Sequence, residues 1–148
     1  MKKVLFIIFL IVIIDFISKQ IVLHNLSNSI VIIPHFFSLS FVKNTGVAFG
    51  LLDGKKMGII LGTIFLIFFL FLLMKREKIG SKNSIFYAII IGGAIGNFID
   101  RIVYGYVIDF LDFNIFGYDF PVFNLADSAI VIGVLLMLIM SFCEGGDR

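Results

Sequence analysis

Four long apolar stretches constrain this chain more than any other feature of its sequence. They run from about Val4 to Val22, from Met57 to Met74, from about Ser84 to Ile102, and from Asn124 to Phe142. A helix of about 20 apolar residues crosses the hydrocarbon core of a bilayer, where an open backbone cannot be satisfied. The sequence therefore predicts an all-α polytopic membrane protein with four transmembrane helices.

Composition supports this class and excludes others. Of the 148 residues, 60% are hydrophobic and 15% are charged, whereas soluble domains have about 45–50% apolar and about 25% charged residues. The net charge is only +2, so the chain lacks the basic surface that a nucleic-acid partner requires. One cysteine and two histidines provide no cysteine-cluster or histidine metal site. We expect no metal and a single integral membrane domain over residues 1–148.

Basic residues orient the predicted helices. They are concentrated before the first stretch and between the second and third, at Lys2, Lys3, Lys75, Arg76, Lys78 and Lys82. Residues 102–123 contain neither lysine nor arginine. Because basic residues favour the cytoplasmic side of a membrane, both termini and the 75–83 connection are expected in the cytoplasm. Lys43, Lys55 and Lys56, in the first outer segment, weaken this bias without reversing it.

Two segments between the helices have a different character. Residues 37–42 alternate between serine or valine and larger apolar side chains, which is the two-residue period of a strand. Residues 104–123 contain eight aromatic side chains, which is typical of a segment in the headgroup region. We expect a small extracytoplasmic β-rich element and an interfacial aromatic loop.

Polar residues gather at the outer ends of the third and fourth helices. Asn97, Asp100 and Arg101 lie at the outer end of helix three, and Asn124 and Asp127 lie at the outer start of helix four. Two Asn-x-x-Asp pairs are therefore expected to meet at one depth. Ionisable groups in spanning segments are costly and usually mark a function, so this level of the membrane is the candidate site.

A third carboxylate, Asp109, lies in the connection between these helices. It is flanked by apolar residues in Val107–Leu111, so it has neither a helix end to cap nor an adjacent cation. Asp127 has a simpler structural interpretation, because Asn124 could cap the helix and Asp127 could be an acidic residue of its first turn. Of the three carboxylates, Asp109 has the weakest structural explanation.

Two further carboxylates have possible ionic partners. Asp100 could pair with Arg101 or with a neighbouring helix, although an acid at a helix C-terminus opposes the helix dipole. Asp15 precedes Lys19 by four residues, which is the favourable order for an ion pair across one turn. We therefore interpret Asp15 as structural.

Two carboxylates held close together cannot both ionise cheaply, so one keeps a proton while the other acts as a base on water. Asp127 faces the positive end of its helix and should ionise more easily. Sequence reasoning leaves Asp100 and Asp109 as alternative partners for it. Two other classes stay open: a channel or transporter with a path of carboxylates, and a non-catalytic helper that binds lipid or another membrane protein.

Four segments of the chain resemble the prolipoprotein signal peptidases, the type II signal peptidases of bacteria. They read DFISK at 15–19, NTGVAFG at 44–50, GGAIGNFIDR at 92–101 continuing to GYVIDF at 105–110, and FNLADS at 123–128. The resemblance covers nearly the whole chain. Val47 and Ile108 are mild departures, because the family commonly has alanine and valine at these positions.

The resemblance implies an intramembrane aspartic endopeptidase of the bacterial cytoplasmic membrane, with its active site near the outer face. Its substrates would be diacylglyceryl-modified prolipoproteins, cleaved just before the lipidated cysteine, and the antibiotic globomycin would bind between the catalytic carboxylates. The resemblance assigns the catalytic pair to Asp109 and Asp127 and implies no cofactor. The supporting residues that it implies are Asn44, Asn97, Asp100, Arg101 and Asn124, with Asp15 in a structural role. One chain of this length can hold the whole site, so we expect a monomer.

Overall fold

The computed structural model describes residues 2–46, 56–77 and 82–145. Four helices contain most of them: α1 (Lys2–Asn25), α2 (Lys56–Arg76), α3 (Lys82–Val103) and α4 (Leu125–Gly145). All four are long and apolar enough to cross a membrane. The prediction of four transmembrane helices is confirmed, and the helices continue into the polar residues that flank their apolar stretches.

Helix α3 occupies the centre of the bundle and packs against α1, α2 and α4. Half of its spanning window is buried inside the protein, against 11–17% for the other three helices. Glycines permit this close packing, because a Cβ added to Gly92 would lie 3.0 Å from the Ile11 Cβ, and one added to Gly96 would lie 2.5 Å from Asp15 Oδ2. Gly93 faces the backbone carbonyl of Ala126 on α4 in the same way. The polar end of α3 is therefore enclosed by two helices.

A small antiparallel sheet completes the fold, with the strand order β1-β2-β3-β4. Its strands are β1 (Ile30–Ile33), β2 (Phe37–Asn44), β3 (Val107–Ile115) and β4 (Tyr118–Asp119). The predicted β-rich element is confirmed. The aromatic segment, expected as a loop, supplies two of the four strands. Residues 107–110 are buried throughout, so apolar side chains occupy both faces of the strand and no two-residue alternation reveals it.

The sheet packs on the end of α1 and so reaches the bundle. Ile108 and Phe110 of β3 form an apolar cluster with Val22 and Leu26. In the register of β2 with β3, Val42 lies opposite Asp109. Asn44, two residues further on, is then a diagonal neighbour of Asp109 on the same face of the sheet.

Candidate active site

Asp109 is held at the inner end of the sheet by two asparagine side chains. Its carboxylate is almost completely buried, with 1% of its surface exposed. Asn44 Nδ2 donates to Asp109 Oδ2 at 2.8 Å, and Asn124 Nδ2 donates to Asp109 Oδ1 at 2.6 Å. Both oxygens of this carboxyl group therefore accept hydrogen bonds from neutral amides.

Asp127 lies in the first turn of α4, where it forms a reciprocal cap with Asn124. The Asp127 backbone N–H donates to Asn124 Oδ1 at 2.9 Å, and the Asn124 backbone N–H donates to Asp127 Oδ2 at 3.2 Å. This is the pattern of a capping box, in which each residue satisfies an unpaired amide of the helix start. The structure therefore shows the cap that the sequence offered as the simple interpretation of Asp127.

Asn97 connects α3 to the same group of side chains. Its Nδ2 donates to Asp127 Oδ1 at 2.7 Å, while its Oδ1 accepts from Asn124 Nδ2 at 3.1 Å. Asn124 thus contacts Asp109 through its amide and Asp127 through its cap, and it is fully buried. The structure brings the two Asn-x-x-Asp pairs together and adds Asp109. We refer to Asp109 and Asp127 as the carboxylate pair.

Asp100 lies in a second, separate cluster around Lys19. The Lys19 ammonium contacts Asp15 Oδ2 at 2.7 Å and Asp100 Oδ2 at 3.0 Å. The predicted pairing of Asp15 with Lys19 is confirmed, and Asp100 pairs with this neighbouring helix rather than with Arg101. Asp100 Oδ2 also accepts the Ile108 backbone N–H at 3.0 Å. We refer to Asp15, Lys19 and Asp100 as the Lys19 cluster.

Arg101 extends from α3 toward the end of β2. Its Nη2 donates to the Gly46 carbonyl at 3.1 Å, and its Nη1 donates to the Asn97 carbonyl at 3.3 Å. The Gly46 backbone N–H in turn donates to Asn44 Oδ1 at 3.0 Å. Arg101 and Asn44 therefore fix the chain at Gly46, where the NTGVAFG motif continues into residues 47–50, which lie outside the described residues.

Sequence reasoning missed the position of Lys19 in this arrangement. It treated the residue only as the partner of Asp15, whereas Lys19 has no exposed surface and also donates to Asn97 Oδ1 at 2.9 Å. The sequence did contain a signal for further partners of Lys19, because a lysine within an apolar spanning helix is costly unless neighbouring groups pair with it. Its partners on α3 could not be read from local spacing, since they lie 78 and 81 positions away in the sequence.

Burial changes the acidity of Asp109. Its pKa is raised from the usual 3.8 to about 6, first because burial disfavours the charged form and also because Asp127 is negatively charged nearby. Hydrogen bonds from Asn44 and Asn124 act in the opposite direction. A carboxyl group that keeps its proton at mildly acidic pH beside a second carboxylate can act as a general acid.

Comparison with known proteins gives a consistent result. The family model described as "Signal peptidase (SPase) II" matches residues 7–143. A lipoprotein signal peptidase of Staphylococcus haemolyticus is 42% identical over 142 residues, which is 93% of this chain and 89% of that protein. One of Staphylococcus aureus is 41% identical over 132 residues, covering 87% of this chain and 81% of that protein.

Two solved structures, both described as bacterial membrane enzymes, have the same fold. The first superimposes with a TM-score of 0.90 at 35% identity and covers 100% of this chain and 92% of its own. The second gives a TM-score of 0.84 at 37% identity and covers 95% of this chain and 92% of its own. These likenesses and the four apolar helices make the chain a multi-pass protein of the bacterial cytoplasmic membrane. The chain belongs to the signal peptidase II family, the membrane proteases that process the signal peptides of prolipoproteins.

Proposed function

We propose that this protein is an intramembrane aspartic endopeptidase that cleaves prolipoproteins immediately before their diacylglyceryl-modified cysteine. Family membership supports the substrate class. The aspartic mechanism is supported by one observation above others, the joining of Asp109 and Asp127 through the single buried residue Asn124. Both carboxyl groups are satisfied by amides, which leaves them able to exchange a proton with a bound water.

In the proposed reaction, Asp127 is the charged member of the pair and acts as the general base. It takes a proton from water as the water oxygen bonds to the scissile carbonyl carbon. We assign the proton shared by the pair to Asp109, whose pKa burial raises to about 6, and Asp109 donates this proton to the carbonyl oxygen. When the tetrahedral intermediate collapses, the C–N bond breaks and the proton held by Asp127 passes to the leaving amine. One hydroxyl of the intermediate returns its proton to Asp109 as the carbonyl forms again, which restores the starting state of the pair. The signal peptide leaves with a free carboxylate, and the lipidated cysteine becomes the new N-terminus.

The remaining site residues hold this pair in place. Asn44, Asn97 and Asn124 donate to its carboxylate oxygens. Arg101 fixes the Gly46 carbonyl and adds positive charge near the pair. We assign all four to positioning of the site and of the substrate backbone. Asp100 supports β3 through the Ile108 N–H, and Asp15 is structural.

The site fits a substrate that arrives from within the bilayer. The carboxylate pair lies where the spanning helices α3 and α4 meet the sheet, so the acyl chains of a substrate can stay in lipid while its peptide reaches the two acids. We place this level at the outer face of the membrane, with both termini in the cytoplasm. We also propose that one domain over residues 1–148 acts as a monomer, because the side chains assigned to the site reach one another within a single chain.

The proposal is tested with purified protein in vesicles and a synthetic precursor carrying diacylglyceryl on its cysteine. Mass spectrometry of the products is expected to place the cleaved bond directly before that cysteine, and globomycin is expected to block cleavage. Asp109→Asn should abolish cleavage, whereas Asp119→Asn, the same change on the exposed strand β4, should not. If Asp109→Asn cleaves normally and Asp100→Asn does not, the assignment of the pair is wrong. Ion flux without cleavage would instead favour a channel.

A further inference from the structure

Lys19 is the most deeply buried cation of the described chain, and the proposed mechanism does not use it. Its ammonium has three N–H donors and no acceptor. The three contacts that it makes match this number: Asp15 Oδ2 at 2.7 Å, Asn97 Oδ1 at 2.9 Å and Asp100 Oδ2 at 3.0 Å. Two of these are ion pairs within the Lys19 cluster. The third contact, with Asn97 Oδ1, connects the cluster to a residue that hydrogen-bonds the carboxylate pair.

The contact with Asn97 fixes which way its amide group faces. A group that only donates must meet the amide oxygen, so the Asn97 NH2 group is directed to the opposite side. There it donates to Asp127 Oδ1 at 2.7 Å. The reversed amide would place NH2 against an ammonium ion and its oxygen against a carboxylate, and both contacts would be repulsive. Lys19 therefore favours the orientation of Asn97 in which Asp127 receives a hydrogen bond at Oδ1.

We propose that Lys19 is a positioning residue that acts through Asn97 to keep Asp127 the charged, base-competent member of the carboxylate pair. This inference rests on the proposed aspartic mechanism and names a residue that touches neither substrate nor the reacting atoms. A hydrogen bond to the charged form of a carboxylate stabilises that form. A charged donor at the position of the Lys19 ammonium favours this direction of the Asn97 bond, and the Asn124 amide, at 3.1 Å, supports it as a neutral and longer second donor.

Other charges also face Asp127, and they differ from Lys19 in how they act. Arg101 approaches from α3 and Asp109 faces it from β3. Arg101 makes its hydrogen bonds to the carbonyls of Asn97 and Gly46, so neither bond selects the orientation of the Asn97 amide. Among the residues that the structure describes, Lys19 and Asn124 donate the hydrogen bonds that select this orientation.

The test compares Asp15→Asn with the double variant Asp15→Asn/Lys19→Met in the vesicle assay. The double variant removes one acid and one base, so its net charge equals that of the native chain. We expect it to lower kcat by about 10- to 100-fold, the effect of losing one hydrogen bond to a charged group, with KM little changed. The acid limb of its rate–pH profile should move up by about one pH unit. Asp15→Asn should lower the melting temperature but leave the acid limb in place.

A conservative replacement sharpens the same comparison. Arginine, like lysine, only donates, so Asp15→Asn/Lys19→Arg should return the acid limb to its Asp15→Asn position. If the Met variant fails to fold, Lys19→Gln replaces it, because a glutamine amide can donate or accept and so leaves the Asn97 orientation undetermined. A folded Met or Gln variant with an unmoved acid limb and native kcat overturns the inference.

A second measurement does not depend on catalysis. In protein labelled with ¹⁵N-asparagine, the Nδ2 signals of Asn97, assigned from their loss in Asn97→Ser, report the donor bond to Asp127. They should shift in the Met variant and keep their positions in Asp15→Asn. Unshifted signals in both proteins contradict the positioning role. If the native chain cleaves nothing while these signals respond as expected, the proposed function fails and the hydrogen-bond relay stands.

Discussion

Two acidic clusters lie side by side at one end of this bundle, and their carboxylates receive different partners. In the Lys19 cluster, Asp15 and Asp100 share one ammonium at 2.7 and 3.0 Å. In the carboxylate pair, the hydrogen bonds come from asparagine side chains and a backbone N–H. Within residues 2–46, 56–77 and 82–145, only the first cluster contains ion pairs shorter than 4.0 Å.

The difference separates two uses of a buried carboxylate. An acid paired with a fixed cation is held in its charged form and contributes to the fold, because removing either partner leaves an uncompensated charge. An acid whose hydrogen bonds come only from neutral amide groups is held in one orientation. No fixed cation holds it in the charged form, so it can gain or lose a proton. Proton exchange is therefore available to the carboxylate pair and not to the Lys19 cluster.

The largest effect is expected from removing an acid of the pair. Asp127→Asn should lower the cleavage rate by about 10²- to 10⁴-fold, the usual contribution of general acid–base catalysis. The free energy of unfolding should fall by only about 1–2 kcal/mol, because asparagine can still accept the Asn124 N–H in the cap although its NH2 group cannot accept from Asn97 Nδ2. Cleavage rates and thermal unfolding of the purified protein measure both. A near-native rate would show that Asp127 serves the cap alone.

The Lys19 cluster should give the opposite result. Asp100→Ala leaves Lys19 short of one partner and frees the Ile108 N–H, so the free energy of unfolding should fall by about 3–5 kcal/mol. Asp119→Ala, on the exposed strand β4, is the control and should change stability by about 0.5 kcal/mol or less. Denaturation followed by circular dichroism in detergent distinguishes them. Equal stability of the two variants would remove the contrast between the clusters.

The pH dependence of stability tests the raised pKa of Asp109 without measuring cleavage. Asp109 keeps its proton up to about pH 6 in the folded protein, against a usual pKa of 3.8. The stability due to this difference is fully present below pH 3.8 and is lost as pH rises through 6, with an upper limit of about 3 kcal/mol. The melting temperature of the native protein should therefore fall from about pH 4 to about pH 6 and level off above that range. Asp109→Asn should fall less over this range, and an identical fall would contradict the raised pKa.

The smallest effect concerns the packing beside the Lys19 cluster. Gly96→Ala would place a Cβ 2.5 Å from Asp15 Oδ2, so the carboxylate must shift and stability should fall by about 1–3 kcal/mol. Gly62→Ala is the matched control, because nothing lies within 4 Å of its added Cβ. The folded fraction of Gly96→Ala should still cleave substrate at a native rate. A loss of kcat without a loss of stability would connect the packing of Asp15 to chemistry.

Periodicity and local chemistry predicted much of this structure from the sequence. The four helices followed from the length of their apolar stretches, and the Asp15–Lys19 pair and the Asn124–Asp127 cap followed from helical spacing. Strand β3 could not be predicted, because a segment buried on both faces carries no alternation. The partner of Asp100 stayed open for a related reason, since Lys19 reaches it through tertiary packing. The assignment of Asp109 over Asp100 as partner of Asp127 came from family resemblance and stays a prediction.

The reciprocal bonds between Asn124 and Asp127 have a consequence for inhibitor design. Asn124 and Asp127 together initiate α4, and in the proposed reaction Asp127 handles a proton while Asn124 positions the carboxylates, so a substitution at either position affects both the helix start and the site. An inhibitor that bonds these two residues therefore leaves bacteria few viable escape mutations, whereas one that relies on apolar lining offers many.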